Sequence, residues 1–227
     1  MYTTSLVMCA IFMSLEILAE LDNGNYFSVM EGKPSCRFVV LFLFAIHSLR
    51  RFLESLYTFN YGKAEMHLAG YLVGILYYVL VPLTLFTEAG QESFVFKGLM
   101  NICGLILFLG GNFAQNRFHC YLGTSNNSST LTRGSNSSRS LQNKYKYPVG
   151  LGFDHVYCPH YTAEVILYFG LNLMVPYSLT LKVMLLFVAA NLSITADKNY
   201  AWYLEKFPAQ TRMKGYASRR RIFPYIY

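Results

Sequence analysis

The stretch Cys158-Pro159-His160-Tyr161-Thr162-Ala163-Glu164 opens an apolar run that continues to residue 178. A helix needs about 20 mostly apolar residues to cross a bilayer, and the run from 161 to 178 approaches that length. His160 and Glu164 are four residues apart and share one face of such a helix. Because ionisable side chains at a membrane boundary are costly to bury, this pair indicates a reaction site.

Five further apolar segments predict additional membrane helices. The chain has 227 residues, of which 54% are hydrophobic and 14% charged, so it is too apolar for an ordinary soluble domain. We predict an all-α, polytopic membrane helix bundle in which residues 1–227 form a single domain. The predicted spans, about six in number, are residues 2–20, 37–59, 66–87, 94–114, 161–178 and 181–199.

Basic residues concentrate in alternate connections between these spans. Arg50, Arg51 and Lys63, the long fourth connection and the arginine-rich tail fall on one face, which the positive-inside bias assigns to the cytosol together with both chain ends. Residues 123–142 are rich in Ser and Asn, a composition that predicts a flexible cytosolic loop. The first segment has no basic start and contains glutamates, so no cleaved signal peptide is expected.

Composition argues against several other classes. The net charge of +7 is confined to the connections, so the positive-inside bias explains it without a nucleic-acid partner. The five cysteines occur singly and predict neither a disulfide framework nor a zinc motif. His155, Cys158 and His160 lack a well-spaced fourth ligand, so no metal is predicted. Membrane lipids are expected around the bundle, and no obligate protein partner is predicted.

The segment His47-Ser48-Leu49-Arg50-Arg51-Phe52-Leu53-Glu54 carries charges inside an apolar span. One interpretation is an ion pair between Arg50 and Glu54 at i,i+4, with Arg51 reaching the lipid headgroups. The other is that an arginine faces a cavity and binds phosphate through two hydrogen bonds. The sequence leaves both interpretations open.

Polar residues also gather at the cytosolic ends of other helices. Gln115 and His119 close the fourth apolar run, and Tyr145 and Tyr147 lead back toward Cys158. Each has an ordinary explanation as an interfacial polar residue or as part of an aromatic belt. Together they predict a cofactor pocket that faces the cytosol.

Three motifs in the carboxyl-terminal part resemble the steroid 5α-reductase family. They are Pro159-His160-Tyr161-Thr162-Ala163-Glu164, Trp202-Tyr203-Leu204-Glu205-Lys206-Phe207 and Ser218-Arg219-Arg220-Arg221-Ile222-Phe223-Pro224-Tyr225-Ile226-Tyr227. The segment from His47 to Arg51 with Glu54 and Tyr57, and the stretch from Tyr71 to Leu80, are most similar to its polyprenol (polyprenal) reductase branch. The resemblance covers roughly residues 37–122 and 143–227 and leaves the Ser/Asn-rich segment unmatched.

The resemblance implies a multi-pass endoplasmic-reticulum enzyme, an NADPH-dependent oxidoreductase acting on a CH-CH group. Its substrate would be a polyprenyl lipid, polyprenol or polyprenal, whose α-isoprene double bond is reduced on the route to dolichol for protein N-glycosylation. An enal accepts hydride better than an unactivated alkene, so polyprenal is the sounder immediate substrate. Alternatives are a 3-oxo-5α-steroid 4-dehydrogenase, an enoyl-thioester reductase, a lipid or protein methyltransferase, and a transporter with Glu16, Arg50, Glu54 and Glu164 as an ion path.

The resemblance also assigns site residues within a cofactor-binding part at 143–227 and in the preceding helices. The NADPH contacts would be Arg51, Gln115, His119, Tyr145, His160, Glu164 and Tyr203, and tail arginines would bind phosphates. Ser48 replaces the tyrosine of the steroid branch, so Tyr57 or His47 is the candidate donor to the substrate carbonyl, with Glu16 as the family's amino-terminal acid. Members usually have seven spans, so this chain is expected to lack the first.

Overall fold

The structure is a computed structural model that describes residues 2–22, 35–58, 67–89, 99–131, 147–211 and 219–223. Most of these residues are helical. Six long helices lie at the six predicted apolar segments, and a short seventh follows the last of them. They are α1 (Tyr2–Asp22), α2 (Cys36–Tyr57), α3 (Leu68–Glu88), α4 (Leu99–Leu131), α5 (Pro159–Met174), α6 (Leu179–Lys206) and α7 (Pro208–Thr211). The predicted all-α fold class is therefore confirmed.

Local capping explains where three helices begin. Ser35 accepts a hydrogen bond from Phe38 N at 3.1 Å before α2, and Ser178 accepts one from Leu181 N at 2.9 Å before α6. These bonds satisfy backbone donors that have no partner within the helix. Pro159 occupies the first turn of α5, where its fixed φ fits and its missing N–H costs nothing.

Helix α4 is longer than the sequence predicts. It continues past residue 114 to Leu131, so the first residues of the Ser/Asn-rich segment extend the helix rather than begin the loop. Once a helix is nucleated, each added residue gains one backbone hydrogen bond, which lets it run past the end of an apolar segment. Residues 132–142 of the predicted loop lie outside the described residues.

Close contact between α4 and α5 depends on glycines. A Cβ atom at Gly170 would lie 2.6 Å from the carbonyl oxygen of Gly104 and 2.7 Å from the backbone nitrogen of Phe108. One at Gly111 would lie 2.9 Å from the carbonyl oxygen of Ala163. Only residues without a side chain allow this approach, as in many membrane helix pairs. The close crossing sets Gln115 of α4 beside Glu164 of α5.

Substituting Gly170 by alanine is expected to destabilise the protein by about 1–3 kcal/mol, because the added methyl meets backbone atoms that cannot move aside. Thermal unfolding of the purified protein in detergent measures the loss. The matched control is Gly110→Ala on α4, where a Cβ meets nothing within 4 Å and the better helix propensity of alanine is neutral or stabilising. Equal melting temperatures for the two variants would contradict the proposed crossing.

Three of the described helices contain windows long and apolar enough to cross a membrane: Tyr2–Ala19, Leu68–Glu88 and Leu179–Lys206. This agrees with an integral membrane protein. Helices α2 and α4 carry polar residues among the apolar ones, and α5 has 16 residues. The count of six membrane crossings therefore stays a prediction.

The carboxyl-terminal segment holds the start of α5. Tyr157 N donates to Arg220 O at 2.8 Å, and Arg220 N donates to His155 O at 3.1 Å, which forms a short parallel bridge. The Thr162 hydroxyl donates to Ile222 O at 2.5 Å. These bonds fix the first turn of α5, which carries His160 and Glu164, against the tail.

Candidate functional site

A cavity of about 490 Å³ lies among the six long helices. One side is polar, with Arg51 from α2, Gln115 and His119 from α4, and Glu164 from α5. The opposite side is mostly apolar and comes from α3 and α6. Its volume lies within the range of ligand pockets, about 300–1,000 Å³. The structure thus brings together four of the seven predicted cofactor-binding residues.

Glu54 is the centre of the charge network behind this cavity. Its Oε2 accepts from Arg51 Nη1 at 2.6 Å and lies 2.7 Å from His119 Nδ1, while Oε1 accepts from Asn116 Nδ2 at 2.8 Å and from Arg50. The residue is 3% exposed. A buried carboxylate is tolerated when its oxygens are paired in this way.

Both interpretations of the arginine pair hold in part. Arg50 forms the i,i+4 ion pair with Glu54 that the sequence allows. Arg51 lines the cavity and lies 2.7 Å from His119 through Nη1, so it does not extend toward headgroups. A charge held at a cavity wall can bind an anionic group of a ligand.

Gln115 connects the two charged helices. Its Oε1 accepts from Arg50 and its Nε2 donates to Glu164 Oε2, so both ends of the amide are used. This pattern fixes the orientation of the amide. Glu164 consequently lies at the cavity surface with one oxygen held by Gln115 and the other 3.7 Å from His47 Nε2.

His47 lies behind Glu164 and is fully buried. Its Nδ1 is 2.9 Å from Asn112 Oδ1, and Asn112 Nδ2 donates to Phe108 O at 2.9 Å. Arg50 Nη2 lies 3.3 Å from the same Nδ1, and Arg50 Nε donates to Asn112 Oδ1 at 3.2 Å. His47 is thus held behind Glu164 and does not line the cavity.

His160 and Tyr203 lie near the cavity but not on its surface. The His160 ring centroid is 5.5 Å from that of His119, and its buried Nδ1 has no hydrogen-bond partner in the described part of the chain. Tyr203 packs edge to face on Tyr147 at 5.8 Å, in an aromatic cluster at the start of α5. Tyr145, the remaining predicted cofactor contact, lies outside the described residues.

None of the three predicted catalytic residues, His47, Tyr57 and Glu16, lines the cavity. Tyr57 is 80% exposed; it follows Arg51 by six residues, so the two side chains point about 120° apart around α2. Glu16 is about 21 Å along α1 from Tyr2, the α1 residue that lines the cavity. It pairs with Arg37 at 2.8 Å and accepts from Ser35 at 2.9 Å, so it joins α1 to α2.

The tail arginines contact protein groups. Arg219 is 6% exposed, donates to Pro148 O at 3.2 Å and lies over the ring of Tyr147 at 4.8 Å. Arg221 pairs with Asp197 and lies over Tyr200 at 5.0 Å. These contacts hold the tail against the start of α5 and against α6, and the predicted role of the tail arginines in binding phosphates stays a prediction. Arg212 lies outside the described residues.

Metal and thiol chemistry find no support among the residues that the structure describes. No group of three His, Cys, Asp or Glu side chains there could hold a metal ion. Burial raises the pKa of Cys158 to about 12, despite a hydrogen bond from Asn199. The thiol therefore stays protonated and is a poor nucleophile or ligand at neutral pH.

The polar side of the cavity fits the nicotinamide nucleotide that the resemblance implies. Glu164 and Gln115 offer acceptor and donor atoms for an amide or ribose, and Arg51 offers a cation for phosphate. The buried Arg51 Nε and His160 Nδ1 have no hydrogen-bond partner among the residues that the structure describes. Such atoms are usually satisfied by a ligand or water.

Sequence reasoning missed Tyr2 and Asn112. Asn112 precedes Gln115 by three residues and shares its helix face, so that spacing was a usable signal. Tyr2 gives no such signal, because its role depends on a contact with Arg51 of another helix, at 3.0 Å.

Comparison with known families decides the classification. The sequence profile of the family described as 3-oxo-5-alpha-steroid 4-dehydrogenase matches residues 64–227. The chain belongs to the 3-oxo-5-alpha-steroid 4-dehydrogenase family. The match includes α3 to α7 and therefore Gln115, His119, His160 and Glu164, while Arg51 precedes it.

Several curated relatives resemble this family member over most of its length. Polyprenal reductase 1 of Arabidopsis thaliana is 33% identical over 221 residues, covering 83% of this chain and 64% of the relative. Polyprenal reductase 2 of Oryza sativa subsp. japonica is 30% identical, covering 82% and 58%. Polyprenal reductase of Caenorhabditis elegans is 26% identical, covering 93% and 67%. The chain thus spans about three fifths of the length of the plant relatives.

Proposed function

We propose that the protein is an NADPH-dependent oxidoreductase that reduces the α-isoprene double bond of polyprenal on the route to dolichol for protein N-glycosylation. The names of its plant and worm relatives support this substrate. The observation that carries the proposal is the two-sided cavity, where Arg51, Gln115 and Glu164 face the mostly apolar walls of α3 and α6. A polar end for a cofactor beside an apolar space for a lipid suits this reaction.

The proposed setting is the endoplasmic-reticulum membrane, with six crossings within a single domain and a cytosolic carboxyl terminus. The positive-inside bias supports this orientation, which opens the cavity to the cytosol. Residues 123–142 supply a cytosolic connection, of which α4 includes the beginning, and residues 143–227 supply the carboxyl-terminal cofactor-binding part. Membrane lipids surround the bundle, and no obligate protein partner is needed.

The cofactor, when bound, supplies a hydride to the electron-poor carbon of the alkene. Arg51 holds a phosphate, and Glu54 keeps its guanidinium at the cavity wall. Glu164 and Gln115 bind the amide or ribose, and His119 supports Arg51, whose Nη1 lies 2.7 Å from the His119 Nδ1. His160, Tyr145 and Tyr203 complete the cofactor site on the cytosolic side. His47 contributes by orienting Glu164, from which its Nε2 is 3.7 Å away.

The apolar wall of the cavity favours a substrate with a lipid tail over a compact substrate. Ala69, Gly70 and Val73 of α3 face the cavity, and a Cβ atom added at Gly70 would meet nothing within 4 Å. Small side chains on this face leave room between α3 and α6, through which an isoprenoid chain can extend toward the bilayer.

Oxidation of NADPH by the full chain, purified in detergent or in microsomes, tests the proposal. A polyprenal and a Δ4-3-ketosteroid are offered in parallel, with Glu164→Gln as the impaired control. We expect consumption with polyprenal and little with the steroid. Consumption with the steroid alone would assign the protein to the steroid-reducing activity. Binding of S-adenosylmethionine without binding of NADPH would instead favour a methyltransferase.

A further inference from the structure

Resting on that proposed function, we propose that Tyr2 donates the hydrogen bond and the proton to the substrate carbonyl. Tyr2 lines the cavity beside Arg51. Arg51 Nη2 donates to the Tyr2 hydroxyl oxygen at 3.0 Å, and the guanidinium carbon lies 5.4 Å from the ring centroid. This places a phenol beside a cation at the cavity surface.

The contact with Arg51 determines what the phenol can do. Because the hydroxyl oxygen accepts from Arg51, its own hydrogen remains available to a second acceptor. The adjacent positive charge stabilises the phenolate that forms when the proton leaves. Tyr77, Tyr78, Tyr161 and Tyr168 also line the cavity, but among the described residues only Tyr2 accepts a hydrogen bond from an arginine through its hydroxyl.

Two contacts hold Tyr2 in this position. Ser5, one turn further along α1, is fully buried and forms a hydrogen bond with Ser48 of α2 at 2.9 Å. Since residues three apart share a helix face, this bond turns Tyr2 toward Arg51. The ring of Tyr78 packs edge to face on Tyr2 with centroids 4.9 Å apart. The phenol is therefore preorganised, which a proton donor requires.

Ser48 itself does not serve as the donor. It occupies the position where the resemblance expects a tyrosine, but it is fully buried and its hydroxyl is used by Ser5. At the position of the expected donor, Ser48 instead forms a hydrogen bond that joins α2 to α1 through Ser5. The hydroxyl needed at the carbonyl then comes from Tyr2, on the other side of that bond.

The proposed step balances as follows. Hydride, supplied by the nicotinamide cofactor, adds to the β carbon of the enal, and the π electrons move to the carbonyl oxygen. Tyr2 transfers its phenolic proton to that oxygen, giving an enol and a phenolate that is paired with Arg51. The enol tautomerises to the saturated aldehyde: water protonates the α carbon and leaves as hydroxide, and the enol proton returns to the Tyr2 phenolate. The net addition is one hydride and one proton from water.

Tyr2→Phe tests the assignment, because it removes the hydroxyl and keeps the ring that packs on Tyr78. We expect turnover of polyprenal to fall roughly 10²- to 10⁴-fold, the usual contribution of a general acid. NADPH affinity, measured by fluorescence titration, should stay within twofold. Tyr71→Phe, on an exposed tyrosine of α3, is the matched control and should keep full turnover. A Tyr2→Phe enzyme within twofold of wild type would overturn the proposal.

A spectroscopic readout separates this inference from the proposed function. The infrared carbonyl stretch of a bound, ¹³C-labelled polyprenal is expected to move to higher wavenumber in Tyr2→Phe and to lower wavenumber when a more acidic fluorotyrosine replaces Tyr2. The fluorotyrosine keeps the contact with Arg51 and controls for misfolding. An unchanged stretch in both proteins would overturn the role of Tyr2. If the carbonyl stretch shifted as expected in both variants but the wild-type protein did not oxidise NADPH, the reductase assignment would be overturned, and Tyr2 would remain the hydrogen-bond donor to the carbonyl.

Discussion

Glu54→Gln is expected to destabilise the protein by about 3–5 kcal/mol, the loss typical of removing one partner from a buried ion pair. Glu54 is 3% exposed, and its two oxygens serve Arg50, Arg51, His119 and Asn116. The neutral amide keeps the volume but leaves two partly buried guanidinium groups without the carboxylate that pairs with both of them. Thermal unfolding in detergent or nanodiscs should show a melting temperature lower by on the order of 10 °C.

Glu205→Gln is the matched control for this change. It makes the same chemical substitution on an exposed residue of α6, so its effect on stability should be within about 0.5 kcal/mol. If Glu54→Gln melted at the same temperature as Glu205→Gln, the charges around Glu54 would be solvated. That result would contradict the buried charge network around Glu54. Loss of the network should also weaken NADPH binding, since Glu54 holds Arg51 at the cavity wall.

Glu164→Gln should impair activity and preserve the fold. Glu164 faces the cavity, accepts from Gln115 through one oxygen and has a side-chain exposure of 13%. The amide retains one acceptor for Gln115 but loses the charge and the second acceptor. A hydrogen bond to a charged group contributes about 1.5–3 kcal/mol, so kcat/KM for NADPH is expected to fall roughly 10- to 150-fold.

The measurement is turnover of polyprenal at saturating and at low NADPH, together with the melting temperature. A role in cofactor binding predicts the larger loss at low NADPH, with a melting temperature near that of wild type. Full activity of Glu164→Gln at both concentrations would show that the assigned role is wrong. Glu54→Gln serves as the contrasting variant, because its main loss is expected in stability.

Much of the fold could be predicted because membrane helices have a local cause. An apolar run of sufficient length predicts a helix without knowledge of its neighbours, and all six long helices lie where such runs occur. The predicted end of α4 was wrong, because composition does not indicate where a helix stops when no helix-breaking residue follows. Gly104 and Gly170 gave no signal of the α4–α5 crossing until their backbone contacts were known.

The residues predicted for the candidate site also fall into two groups, those that line the cavity and those that lie elsewhere. Arg51, Gln115, His119 and Glu164 could be predicted as a group, because polar residues in apolar segments are costly and their motifs resemble those of a known family. Tyr57 and Glu16 were assigned from motif position alone, which does not specify the face of a helix or the distance to another one. The first is exposed, and the second pairs with Arg37.

The sequence by itself therefore determined the helical membrane fold, the family and the polar residues that gather at one cavity. Only the tertiary structure decided which of them meet: Glu54 between two arginines, Gln115 on Glu164, and Tyr2 under Arg51. The physical reason is range. Hydrophobicity and helix spacing act along the chain, whereas hydrogen bonds and ion pairs form between residues far apart in sequence, such as Arg51 and His119 at 68 positions, and depend on helix rotation and crossing.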